Sequence, residues 1–438
     1  MSGIAMMNAS FGAAAPAVLV MNLDAASQGA VPGASITTSA SFNGSSQYLT
    51  LPASTDWALG TGDFTIEWWQ YQTGAGTFPR VFSVGAGPAS VAVSIESGTF
   101  YFWENGNFTF SSVLSSYLNA WVHFAISRVS GQTSVYQNGT QIGSTYADTN
   151  NINDSSSTLT IGREISAFDT YFPGYISNFR IIKGTGLYSG ASLTVPTSTL
   201  RAVSGTVVLL PLAAAPFMDM STNVYTITNT GTTTTTASAP SLTAATTDVT
   251  GTYALTTVNA GSLSWATTNG GIFRKSNNTG TDVIFGGPNY VTGQSYSVFM
   301  AYQRTATASG RLLNTQSEAS KDWLMGLYNG NPDTFYPNFS VNLPGSGADL
   351  VWHFGWATWN TGTSRGQLYT ATSTQPTSVA FTAVSGGGGG FNQLRLFSRA
   401  GGFEVQSGNI GMIRVYNGVL TLAEVQSLYA KYKARFGY

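Results

Sequence analysis

WVHFAIS, residues 121–127, and VWHFGWAT, residues 351–358, are one short element written twice. The chain has two histidines, and both occupy the same place in it, as His123 and His353. Aromatic and β-branched residues crowd both copies, which suits strands buried on at least one face. The surrounding landmarks repeat in the same order. SYSVFMAYQRT (295–305) matches FTIEWWQYQT (64–73), aligning Tyr302 with Tyr71. GNIGMIRVYNG (408–418) matches GYISNFRIIKG (174–184), aligning Arg414 with Arg180. Three landmarks at nearly equal separations in the two halves indicate duplication of one β-rich unit.

Composition narrows the function classes. The 438 residues suffice for two domains with sizeable cores, since 42% are hydrophobic. Only 8% are charged, far below the roughly 25% of an average globular chain. Polarity comes from Ser, Thr, Asn, Gln and Gly, a surface suited to permanent contacts and uncharged ligands. A net charge of −1 argues against nucleic acid, whose phosphates require a basic stripe. Without cysteine there is no disulfide framework, thiolate metal site or thiol nucleophile. The apolar run Ile4–Leu23 lacks basic flanks and contains Asn8, Ser10 and Pro16. It is therefore read neither as a signal peptide nor as a membrane span, but as an arm (1–16) entering a strand.

Taken in order, the chain reads as short strands punctuated by turns. SASFNGSSQYLTLP (39–52) alternates around Asn43-Gly44 and predicts a hairpin. WVHFAISRV and TSVYQNGTQIGS predict another, with Asn138-Gly139 in its second arm. VVLLPL (207–212) reads as the last strand of the first unit, and the Thr-rich stretch 228–247 as a linker. The Gly386–Gly390 run is expected to be a loose loop. Thr421 and Glu424 form a capping box that starts one C-terminal helix. Its apolar face is Leu422, Val425, Leu428, Tyr429 and Tyr432, with Lys431, Lys433 and Arg435 as a solvated end.

The order FNG-hairpin, FTIEWW, WVHFA, VYQNGTQIG, LTIG and GYISNFRI resembles the laminin G-like branch of the concanavalin A-like lectin fold. The resemblance covers about residues 17–215, with a more divergent copy at about 250–438. It implies an all-β chain of two tandem concanavalin A-like jelly-roll β-sandwiches with a short C-terminal helix. The expected division is an arm at 1–16, sandwich one at 17–227, a linker at 228–247 and sandwich two at 248–438. FRIIKGTGLYSGASLTVPTS (179–198) is similar to segments of tailed-phage virion proteins. Together these imply a non-enzymatic virion structural protein, in capsid decoration or in the tail and fibre apparatus. It is expected to assemble in the host bacterial cytoplasm with other virion proteins, as a homo-oligomer without membrane insertion. The alternative is a glycan-binding adhesin that recognises host-surface polysaccharide.

Glycan-cleaving enzymes of this fold are similar to one another in a Glu-x-Asp-x-Glu strand, absent here, where Glu67, Glu96, Glu104 and Glu164 stand apart. Neither histidine has a Ser-His-Asp setting, so both are read as structural. Exposed aromatics would serve a glycan site, and the least core-like clusters are YFWENGNF and DWLMGLYNGNPDTFYP. The site residues expected there are Tyr101, Trp103, Asn105, Trp323, Tyr328 and Tyr336. No cofactor is required, although the resemblance implies calcium as an option. Asp148, Asn150, Asn153, Asp154 and Asp169 would supply its oxygens, and the same residues are ordinary turn formers.

Overall fold

Along Phe64–Gln72, Phe64, Ile66 and Trp68 enter one core while Glu67 and Trp69 face the other way, because successive strand residues alternate faces. Trp68 is fully buried, with Phe82, Phe100, Phe124 and Phe179 around it at ring-centroid distances of 5.6 to 6.5 Å. Packing of that kind makes a truncation of Trp68 worth about 3–5 kcal/mol. The structure, a computed structural model, describes residues 17–76, 78–85, 90–165, 170–250, 252–258, 263–277, 283–285, 295–306, 310–315, 323–328, 331–337, 341–342, 350–360, 365–371, 377–382, 394–398 and 405–438. The expected arm at 1–16 and the Gly386–Gly390 loop lie outside the described residues.

All strand pairing is antiparallel within the sheets, as expected for a jelly-roll chain. One eight-stranded sheet runs Thr140–Ala147, Gln132–Gln137, Trp121–Val129, Phe64–Gln72, Pro173–Lys183, Ser39–Asn43 and Thr234–Thr236. Its eighth strand, Thr206–Leu210, lies along the far part of Pro173–Lys183. A seven-stranded sheet closes the sandwich with Thr228–Thr230, Tyr48–Leu51, Leu159–Ile161, Arg80–Val84, Val91–Glu96, Thr99–Glu104 and Asn107–Val113.

The second eight-stranded sheet has the same layout. It runs Thr377–Thr382, Arg365–Ala371, Trp352–Asn360, Tyr296–Arg304, Gly408–Asn417, Ile272–Lys275 and Leu263–Ala266. The eighth position, beside Gly408–Asn417, is filled by Val18–Asp24 from the start of the chain. Facing it are a five-stranded sheet and the pair Thr256–Val258 with Val283–Phe285.

Matching the strands one by one shows that sandwich two is a circular permutation of sandwich one. The edge strands Thr206–Leu210, Thr228–Thr230 and Thr234–Thr236 come last in the first unit. Their counterparts Val18–Asp24, Thr256–Val258 and Leu263–Ala266 come first in the second. A bonding motif repeats with them. The amide of Leu209 donates to Asp219 (3.0 Å) and its carbonyl accepts from the Met220 amide (2.7 Å). The amide of Asn22 donates to Asp248 (2.9 Å) and its carbonyl accepts from the Val249 amide (2.8 Å). Leu209, Met220 and Val249 then pack in one small cluster.

Sandwich one is therefore inserted into sandwich two, after the strand Val18–Asp24. Entry and exit of the insertion run side by side: Gly33 and Ile36 amides donate to the Ala244 and Leu242 carbonyls at 2.9 and 3.0 Å. Insertion is geometrically easy because Ser39 and Thr236 are paired neighbours, so both ends of the inserted unit leave at one place. This pairing differs from the expected division at residues 17, 228 and 248. The Thr-rich stretch is not a free linker, since its two short strands add an edge to each sheet of sandwich one.

Other local expectations divide. The hairpin of Trp121–Val129 with Gln132–Gln137 forms as expected, but Asn138-Gly139, with φ of +47° and +84°, makes a further two-residue turn that splits the expected second arm in two. Asn43-Gly44 does not form a hairpin, because Ser39–Asn43 and Tyr48–Leu51 belong to opposite sheets. The Asn43 side-chain oxygen accepts from the amides of Ser45, Ser46 and Gln47, making a corner instead. Gly231 allows the facing corner to approach, for a Cβ there would stand 2.3 Å from the Ser46 carbonyl oxygen. Trp69 faces His123 and Tyr302 faces His353, so Tyr302 is not the counterpart of Tyr71. The duplication is real, but that alignment was displaced by two residues, one strand period.

The capping box forms as expected, the Glu424 amide donating to Thr421 (3.3 Å) and the Thr421 amide to Glu424 (2.7 Å). Tyr429 and Tyr432 pack on Phe299, Phe354 and Trp356. Arg435 is the correction. It is 4% exposed rather than solvated. Its guanidinium donates to both Asp24 carboxylate oxygens (2.9 and 3.1 Å) and to the Asn269 and Gly271 carbonyls.

Removing one partner of such a buried pair leaves the other charge uncompensated. Asp24→Asn is expected to destabilise the protein by about 3–5 kcal/mol in urea unfolding. The permuted arrangement makes a second prediction. Residues 248–438 alone should lack a cooperative melt, and a synthetic peptide of residues 17–28 should restore it. A cooperative melt without the peptide would contradict the strand assignment.

Candidate functional site

The hairpin Thr99–Glu104 with Asn107–Val113 turns through Asn105-Gly106, both at positive φ (+49° and +79°). YFWENGNF is thus part of two paired strands. Alternation sends Phe100 and Phe102 into the core and leaves Tyr101 and Trp103 half-buried on the outer face. Trp103 lies opposite Phe108. Tyr101, Trp103 and Phe108 form one group, with centroids 5.7 to 6.5 Å apart. Phe108 is 58% exposed and Val113, farther along the same hairpin, 78%. The three rings and Val113 give this outer face an apolar, partly exposed surface.

Charged groups border the face, and they are paired. Arg80 donates to Glu164 (2.6 Å) and Glu96 (3.0 Å), and its guanidinium lies 4.9 Å from the Trp103 ring centre. Ser94 donates to Glu96 (2.6 Å). Phe108, Arg80, Glu96 and Glu164 were not among the expected site residues. The Asn-Gly turn was the available signal for Phe108, since it sets Phe108 across from Trp103.

Beneath the turn lies a pair of buried carboxyl groups. Glu104 is 1% exposed and Asp148 is 2% exposed. Glu104 accepts from Asn150 (3.0 Å), while Asp148 accepts from Thr133 (2.7 Å) and lies 3.3 Å from Arg128. Burial, with the neighbouring Asp148 adding to it, pushes the Glu104 carboxyl up to about 7. Asn105 donates to the Asn151 carbonyl (3.3 Å), tying the hairpin turn to the 148–154 loop.

The described calcium candidates have separate engagements. Asp148 and Asn150 are engaged in that buried network. Asp154 accepts from Ser156 and Ser157 in a turn of its own; burial raises its pKa, but those hydrogen bonds outweigh it and hold the carboxyl below its ordinary range. Asn153 is exposed, and Asp169 lies outside the described residues. Among the described residues no group of three or more acidic or histidine side chains could hold a metal ion.

In the second unit, Trp323–Tyr328 and Asn331–Pro337 are paired strands. Trp323 and Tyr328 lie on Trp323–Tyr328, and Tyr336 lies on Asn331–Pro337 beside it. The latter is the counterpart of the strand that bears Trp103. The side chains of these three residues are outside the described ones.

Glu67 does not stand alone. It is the centre of a covered network with Arg180, with Tyr188 (3.0 Å) and with the His123 Nε2 atom (3.4 Å). Burial drives its pKa up, but His123 and Arg180 prevail and hold the carboxyl below its ordinary range. A carboxylate so enclosed supports the fold.

Comparison with known proteins adds what the chain is similar to. No curated protein matches the sequence. Among solved structures, a Bacteroides ovatus protein assigned provisionally to carbohydrate binding is 14% identical over 47% of this chain, with a TM-score of 0.38. The alignment spans 61% of that protein's length. Domains LG4-5 of the mouse laminin alpha1 chain align over 96% of both chains at 11% identity and a TM-score of 0.27. The tailspike protein 2 of bacteriophage CBA120 aligns over 31% of this chain and 23% of its own, at 15% identity and a TM-score of 0.24. Residues 43–185, the greater part of the inserted sandwich, match the laminin G family model of the concanavalin A-like lectin/glucanases superfamily, as the resemblance implied.

Proposed function

We propose that the protein is a non-enzymatic binding component that holds an uncharged saccharide on the outer face of its first sandwich. The observation that carries this reading is the exposed group of Tyr101, Trp103 and Phe108. Aromatic rings supply apolar area to the C–H faces of a sugar, and Tyr adds a polar tip. Bordering charges do not demand a charged ligand, because Arg80 already binds both neighbouring carboxylates. The same engagement speaks against hydrolysis, which needs one carboxyl group free to give a proton and another free to attack or to activate water.

The setting we propose is the particle of a tailed bacteriophage, assembled in the bacterial cytoplasm with other virion proteins and with further copies of this chain. The low charge and the resemblance of residues 179–198 support that setting. Quantitative mass spectrometry of purified particles checks it, with many copies expected on the head or a few on the tail. Absence from particles would overturn the setting and leave the saccharide site standing.

Trp103→Ala and Phe108→Ala are each expected to weaken binding of host-surface polysaccharide about tenfold, with no reducing ends released at any concentration. Unchanged affinity in both variants would sink the site.

The buried Glu104 gives a pH dependence whose sign is fixed. Its folded-state pKa, about 7, stands above the ordinary 4.5, so the folded protein holds this proton more tightly than the unfolded chain does. Stability is full below the unfolded value and falls as pH rises toward and through 7, by about 3 kcal/mol in all. Glu104→Gln should flatten that slope, and at pH 8 should be more stable than the parent in urea unfolding.

A further inference from the structure

The outer face of the first eight-stranded sheet is roofed over most of its area. Tyr188 and its segment cover Glu67, and Ala30, Ile36, Leu242 and Ala244 cover Trp69. One row stays open. Thr234, Ser41, Tyr175, Tyr71 and Trp121 are direct neighbours across five consecutive strands, so they share one face in a straight line. Thr234 is exposed and the other four are partly so.

The three rings are contiguous, Tyr175 stacked on Tyr71 at 5.4 Å and Tyr71 edge-on to Trp121 at 5.9 Å. A wall ends the row where Trp121 Nε1 donates to the Ser238 hydroxyl at 3.2 Å. The geometry points to a second saccharide site along this ledge, taking an extended, uncharged, β-linked chain that lies across the strands. It rests on its own residues and lies on the opposite sheet from Tyr101, Trp103 and Phe108.

The chemistry favours a sugar over the other extended ligand that aromatic rows accept, a proline-rich peptide. Peptide grooves of that kind seat prolyl rings in slots between aromatic side chains, whereas Tyr175 stacks directly on Tyr71 and leaves no slot between them. The one indole N–H in this row is already given to Ser238. What remains is a line of hydroxyls, from Tyr71, Tyr175, Ser41 and Thr234, each able to donate and accept as sugar hydroxyls require. No charged side chain belongs to the row, and the nearest carboxylate face, at Glu67, is closed by Arg180 and Tyr188.

Cellohexaose, xylohexaose and mannohexaose titrated calorimetrically into the full chain carrying Trp103→Ala provide the test. Binding of at least one hexaose should survive that change. Adding Tyr71→Ala and Tyr175→Ala should then weaken it about tenfold or more, the loss typical of a binding hot spot. Tyr71→Phe with Tyr175→Phe keeps the rings and removes the hydroxyls, and should give an intermediate loss with an unchanged melting profile. Loss of all binding on Trp103→Ala alone would show one site and overturn the second. Binding by none of the hexaoses overturns it too, as does a proline-rich decapeptide whose binding alone depends on Tyr71 and Tyr175. If Trp103→Ala changes nothing while the tyrosine variants abolish binding, the ledge stands and the site at Trp103 falls.

Discussion

The ion pair of Asp24 with Arg435 joins residues 411 positions apart, and the second sandwich is organised around it. Arg435 anchors the segment after the C-terminal helix to Gly271 and Asn269, while Asp24 ends the strand that completes the sheet. Both groups are buried, so neither can be satisfied by water if the other is withdrawn. The pair thus contributes specificity: one arrangement of the chain's two ends satisfies both charges. Sandwich one needs no such closure. Its strand Thr206–Leu210 comes next in the chain after its partner Pro173–Lys183, and its buried charge at Glu67 is met by Arg180 from the neighbouring strand.

Two copies of one unit thereby reach the same sheet layout by different chain orders. The permutation costs little because the edge strands are short and the ends of the unit lie together. It also explains why the segment between the halves is structured. Thr-rich edges of three residues suffice to cap each sheet, their β-branched side chains fitting the pleat, and they leave nothing over for a flexible spacer.

Much of this was legible in the sequence. Duplication, alternation around Trp68, the Asn138-Gly139 turn and the capping box are local or periodic signals, and the structure contains each of them. The half-buried Tyr101 and Trp103 could be read from two-residue alternation in TFYFWE. What escaped depended on pairing between distant segments. Asn43 opens a corner because its strand finds Pro173–Lys183 rather than the segment that follows it. Arg435 looks like a solvated helix end until Asp24 is placed beside it. The row of Tyr175, Tyr71 and Trp121 exists only in the register of three strands, and a two-residue error such as the Tyr302 alignment erases it. Asp148 and Asn150 carry the composition of a calcium loop, yet they serve Arg128, Thr133 and Glu104.

The place of Val18–Asp24 has a consequence for how the chain is made. Ribosomal synthesis produces this strand before the whole inserted sandwich and its partner Gly408–Asn417 after it. The inserted unit has all its strands in one continuous stretch and can close while synthesis continues. The first strand must meanwhile wait, its edge unsatisfied, through the translation of nearly four hundred residues. Sandwich two therefore cannot close until Gly408–Asn417 has been made, in one late event that joins two segments separated by the whole inserted unit.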